Sequence, residues 1–206
     1  MAHYLPLRLA LAGLATVLVV GCEQSPQSPS TASAVPAANR ADPAPTGSAA
    51  ASFTAAGANG HTISIMDACD SDSFNAALGA DTCTRNGGVR FDDFIKLLTA
   101  HHSVGAWHFT PAQAHLAVGD VLQALNRGGE THTFTEVEEF GGGIVPQLNE
   151  LSGNTTVAPE CAALKADAMI PPGGHSEAET ENEEGVEKYQ CCIHPWMRLE
   201  LHVSKH

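Results

Sequence analysis

The residues of this 206-residue chain best suited to chemistry stand near its C-terminal end, in Tyr189-Gln190-Cys191-Cys192-Ile193-His194-Pro195-Trp196-Met197. Counted from Cys191 the spacing is Cys-x2-His-x2-Met, which places a thiolate, an imidazole and a thioether on one short loop. A second imidazole, His132, lies far upstream in Gly129-Glu130-Thr131-His132-Thr133-Phe134. Two imidazoles, one thiolate and a weak thioether form the donor set of a type 1 copper site. The soft sulfurs favour Cu(I), and the imidazoles hold both oxidation states. The expected metal ligands are therefore His132, Cys191, His194 and Met197. The expected cofactor is one copper ion, cycling between Cu(I) and Cu(II).

Other chemistries fit these residues less well. Structural zinc sites rarely draw on adjacent cysteines and use a two-residue spacing that Cys191 and Cys192 lack. Haem attachment needs C-x-x-C-H, whereas the chain reads Cys191-Cys192-Ile193-His194. A binuclear copper site would want two bridging cysteines several residues apart. No His-Glu-x-x-His, Gly-x-Ser-x-Gly or phosphate-binding loop occurs, so neither an enzyme nor a small-molecule substrate is expected. His101, His102, His108, His115, His175, His202 and His206 have no ligand spacing and are expected mostly at the surface.

Positioning such ligands requires strands. From Trp107 onward the chain carries short β-type runs broken by Gly, Pro and Asn: Trp107–Pro111, Ala114–Val118, Val121–Asn126 and Thr131–Val137. Glu187–Cys192 and Arg198–Val203 flank the ligand loop as the last two strands. Regular short strands with turn signals predict an all-β sandwich. His61–Met66 also alternates and predicts a first strand. The segment Cys69–Cys83 reads as a loop, and Phe91, Phe94, Ile95 and Leu98 mark one face of a helix. Residues 59–105 are thus expected as an extension, one strand and one α-helix packed on a sandwich formed by 106–206. Phe140-Gly-Gly-Gly-Ile-Val-Pro146, at the start of a long insertion, reads as flexible and close to the copper end.

The segment from Trp107 to the end resembles a small cupredoxin, and its ligand loop resembles that of the amicyanin and plastocyanin group. Gly119-Asp120-Val121 through Leu125-Asn126 is similar to the strand before the first ligand His in that family, and Cys191-x2-His194-Pro195-x-Met197-Arg198 is similar to the short amicyanin-type loop. The likeness covers about half the chain. Two positions depart from it: Thr133 stands where the family has Asn, whose side chain ties the ligand loops together, and Cys192 stands where it has Ser or Thr. The resemblance implies a Greek-key cupredoxin sandwich and one-electron transfer with transient redox protein partners. It also implies that the loop histidine reaches the surface as the electron port, rimmed by Pro195, Trp196 and Ile144. The alternative is an envelope protein that stores or delivers copper without redox cycling.

The N-terminus bears on location. Leu5–Val20 is apolar except for Arg8 and too short for a confident membrane span, so residues 1–21 read as a secretory signal. Val19-Val20-Gly21-Cys22 is similar to a bacterial lipoprotein cleavage box, with Cys22 as the lipidated residue. Residues 22–58 are rich in Ser, Pro, Ala, Thr and Gly and cannot bury a core, which predicts a disordered tether. The protein is expected in the periplasm or cell envelope, held to a membrane by lipid alone. The formal net charge of −13 excludes nucleic acid and anionic membrane surfaces as partners of its face. Six carboxylates fall in Glu177–Glu187, read as a solvated loop that could also dock a basic partner.

Six cysteines occur. With Cys22 lipidated, five remain in an oxidising compartment. Cys69 and Cys83 close a short loop and are natural partners. If Cys191 binds copper, Cys192 can pair with Cys161. Cys192 is the poorer ligand because Cys-x1-His is too tight for both side chains to converge, and neighbouring strand residues face opposite ways.

Overall fold

The computed structural model describes residues 59–205, so the signal, the tether, Cys22 and His206 lie outside the described residues. Two four-stranded mixed sheets form a β-sandwich. The first has the order β2-β1-β4-β6, built from β1 (Gly60–Met66), β2 (His108–Thr110), β4 (Val121–Asn126) and β6 (Glu179–Thr180). The second has the order β3-β8-β7-β5, built from β3 (Gln113–Ala117), β5 (Thr135–Val137), β7 (Gly185–Gln190) and β8 (Arg198–Ser204). The period-2 pattern fills the space between them. Ile63, Ile65, Leu122 and Ala124 from the first sheet and Tyr189, Leu199, Leu201 and Val203 from the second share one buried core.

The N-terminal part differs from the sequence expectation in two ways. β1 is an inner strand of the first sheet rather than an addition to a finished sandwich. It runs parallel to β4, with Ile63 opposite Ala124 and Ile65 opposite Asn126, and antiparallel to β2. The segment also contains two helices. α2 (Phe91–His101) follows the apolar stripe, with Phe94 and Leu98 buried. α1 (Ser71–Leu78) forms inside the stretch read as a loop. The Asp70 side chain caps it by accepting from the Ser73 amide at 3.0 Å. Its one large buried residue, Phe74, lies 5.8 Å from Trp107 and 5.6 Å from Phe94 between ring centroids. One aromatic in eight residues gives no periodicity, so only the cap could have betrayed this helix. Cys69 and Cys83 are bridged around it.

The insertion after β5 is ordered by short helices: α3 (Pro146–Ser152), with Pro at its first turn and Gly153 in the left-handed conformation at its end, and α4 (Pro159–Ala162). No helix among the described residues is long and apolar enough to cross a membrane.

Candidate metal centre

Three elements carry the site. The turn after β7 holds Cys191, Ile193 and His194, and β8 begins just beyond Met197. This loop is closed by its own backbone: the Cys191 amide donates to the Met197 carbonyl at 3.1 Å, and the Met197 amide to the His194 carbonyl at 2.9 Å. His132 comes from the other side. Of the run Thr131–Val137 only Thr135–Val137 is strand, because His132 is instead fixed by a two-way backbone bridge to Ile170.

The structure brings His132, Cys191 and His194 together, all buried. Cys191 is the one free thiol among the described residues. Its Sγ lies 3.8 Å from His132 Nδ1 and 3.9 Å from His194 Nδ1. Bonds of about 2.0–2.3 Å from one first-row ion span such separations, so the three atoms can meet the same ion without rearrangement. A buried thiol facing two ring nitrogens is a donor set that suits copper. Met197, at the end of the same loop, is 1% exposed and belongs to the core. Cys161 and Cys192 are bridged, which removes the neighbouring thiol from competition.

Asp67, just past β1, orients the His132 ring. Its Oδ2 lies 2.9 Å from His132 Nε2 and accepts from the Gly129 and Glu130 amides at 2.8 and 3.0 Å. Burial alone raises the Asp67 pKa, but the hydrogen bonds from His132 and the two amides outweigh it and hold the carboxyl well below its usual range. An ionised Asp67 only accepts, so Nε2 keeps its proton toward Asp67, and Nδ1 is the nitrogen left to give up its own proton to a metal. Burial likewise lowers the His132 pKa, yet Asp67 and Cys191 carry it up to about 9. For Cys191, burial works against the thiolate. Hydrogen bonds and charge from His132 and His194 prevail and bring it well below the usual thiol value. The sulfur also faces the Thr133 amide at 3.5 Å and the His194 amide at 3.4 Å.

Thr133 does the work expected of the missing Asn. Its hydroxyl oxygen accepts from the Cys192 amide at 2.7 Å, tying the His132 segment to the ligand loop. The glycine run is not flexible. The Ile144 amide donates to the Cys192 carbonyl at 2.7 Å, and a Cβ on Gly143 would overlap that same oxygen. Close approach of this backbone to the ligand loop therefore requires glycine.

The expected surface port is covered. The His194 side chain is only 4% exposed, and Pro195 is buried. Trp196 is half-buried and stands 5.4 Å from the His194 ring, with Phe94 of α2 at 6.5 Å; only Ile144 of the expected rim is well exposed. Helix α2, absent from a minimal sandwich, is the reason. His194 Nε2 points instead toward Glu130 Oε2, 3.7 Å away, and that oxygen accepts from Trp107 Nε1 at 2.6 Å. Burial raises the Glu130 pKa against the opposing pull of His194 and Trp107. Asp67 and Glu130 were not singled out from sequence. The available signals were a carboxylate ending the β1 alternation and one two residues before His132.

The acidic run also departs from a plain solvated loop, since Glu181 is 4% exposed. Burial, then the Glu187 carboxyl, raises its pKa to about 8.

No protein-family model matches the chain, and no curated protein sequence matches it. Similar solved structures include a purple cupredoxin from Nitrosopumilus maritimus, with 17% identity and a TM-score of 0.39 over 69% of this chain and 98% of that one. They also include the Cu(I) form of an amicyanin point mutant, with 20% identity and a TM-score of 0.32 over 47% and 72% of the two chains. An oxidized form of another amicyanin point mutant has 19% identity and a TM-score of 0.33 over 49% and 77%.

Proposed function

We propose that this chain is a one-electron carrier with a single type 1 copper site of the cupredoxin kind. His132, Cys191 and His194 would be the strong ligands and Met197 the weak one. The observation that carries the reading is the convergence of two imidazole Nδ1 atoms on a lone buried thiol within 3.9 Å. Bound copper would supply the one-electron couple. The protein's part is to keep the donors in one arrangement, so that little reorganisation accompanies a change of charge. Asp67 and the Ile170 bridge hold His132; Thr133, the Cys161–Cys192 bond and Gly143 hold the loop. Partners would be redox proteins that dock transiently near Trp196, which is partly exposed and stands 5.4 Å from the His194 ring. Reversible one-electron cycling of the copper-loaded protein tests the reading. A protein that binds copper but does not cycle would be a storage or delivery protein instead.

We further propose export to the cell envelope with membrane attachment through lipidated Cys22. Support comes from the apolar leader and the Val-Val-Gly-Cys22 junction. Cys22→Ser is expected to release the protein from membranes or leave its precursor unprocessed. Unchanged labelling by a radioactive fatty acid in that variant would refute the attachment.

A further inference from the structure

Beside the metal centre, an apolar pocket of about 550 Å³ opens between α1, α2 and α3. That volume is in the range of small-molecule sites. Its walls are Phe74, Phe91, Phe94, Leu148, Leu151 and Ile193, and Leu78 stands 53% exposed at the rim. Its floor is polar. Glu130 and His194 both line it, and Glu130 is 6% exposed overall. Trp107 occupies Oε2 of Glu130, while Oε1 accepts no hydrogen bond among the described residues. Oε1 is not sealed from solvent, so an occupant that covered it without donating would leave a carboxylate oxygen unpaired, which is costly.

We infer that this pocket binds a small aromatic alcohol, with the ring among Phe74, Phe91 and Phe94 and the hydroxyl donating to Glu130 Oε1. The aromatic walls favour a ring. A neutral donor fits better than an ammonium or an anion, either of which would have to shed its water in an apolar enclosure. The occupant would lie against the outer edge of His194. The inference thus deepens the electron-carrier reading by giving a small molecule access to a metal ligand that the helices hide from large partners. It rests on that reading for its purpose but not for its test.

The test is calorimetric titration of the metal-free full-length protein with 4-ethylphenol and with ethylbenzene, which lacks only the hydroxyl. A simple apolar cavity prefers ethylbenzene, because the phenol must give up its hydration. A cavity with a waiting acceptor rejects the analogue that leaves it unpaired. The expected result is at least tenfold tighter binding of 4-ethylphenol, lost at least tenfold in Leu148→Trp, which fills the pocket from α3. Equal binding, preference for ethylbenzene, no binding of either, or 4-ethylphenol binding that a folded Leu148→Trp leaves unchanged would each overturn the inference. The preference between the two ligands is measured on the natural sequence, so a misfolded Leu148→Trp leaves the inference open to refutation. Absence of copper binding, by contrast, would defeat the electron-carrier reading and leave this result standing.

Discussion

Adjacent cysteines of identical chemistry take opposite roles here. Cys191 Sγ faces two imidazoles, and Cys192 turns away into its bond with Cys161. The two diverge where β7 gives way to the ligand loop, just past Gln190. Cys191→Ser is therefore expected to abolish the thiolate-to-copper absorption while leaving the protein folded. Cys192→Ser should keep that absorption, expose a free thiol at Cys161, and lower stability by about 2–5 kcal/mol in denaturant unfolding. Reversal of the two spectra would mean that the ligand loop is displaced by one residue.

The metal centre depends on elements that lie outside the two terminal strands, and β1 contributes most. It enters the first sheet beside β4 and ends by delivering Asp67 to His132. Asp67→Asn replaces the ionised acceptor with a neutral amide, and copper affinity measured by chelator competition is expected to fall 10–100-fold, as outer-shell partners of metal histidines typically show. Unchanged affinity would remove Asp67 from the positioning role. What the sequence disclosed, and what it hid, follows element boundaries. Local patterns were readable: the β-type run Val121–Asn126, the α2 stripe of Phe94 and Leu98, and the crowded loop Cys191–Met197. Contacts between distant segments were not. Asp67 and His132 are 65 residues apart, and a carboxylate ending the β1 alternation does not by itself name its partner. The same holds for α1, whose single large buried aromatic makes sense only against Trp107 and Phe94. The Gly141–Gly143 run reads as flexible in isolation, yet its amides donate to Gln190, Thr156 and Asn149, and Gly143 packs against Cys192.

Over the molecule as a whole, a strongly acidic chain has placed one of its carboxylates in a buried cluster. Tyr189 donates to Glu179 at 3.1 Å or to Glu187 at 3.2 Å, and Glu181 sits nearby with its pKa raised from 4.5 to about 8. The folded protein therefore holds this proton more tightly than the unfolded chain. Its contribution to stability is fully present below about pH 4.5 and is lost as pH rises through about 8. Glu181→Gln, which mimics the protonated form, is expected to flatten the decline in denaturant midpoint between about pH 5 and 8 relative to the natural sequence. Parallel curves for the two proteins would argue against the buried proton. A further global feature is the enclosure of His194 by α2 and Trp196, which a two-sheet framework alone would leave open.

Everything proposed for the metal centre turns on Cys191, His132 and His194 holding one copper ion through a thiolate bond. That bond is read out by the visible absorption spectrum of the purified protein after loading with one equivalent of Cu(II) and removal of excess metal. The expected result is an intense sulfur-to-copper band in the visible region that bleaches on addition of one electron per protein and returns on reoxidation. A colourless protein after copper loading, or one that retains only zinc, would show that no such bond forms.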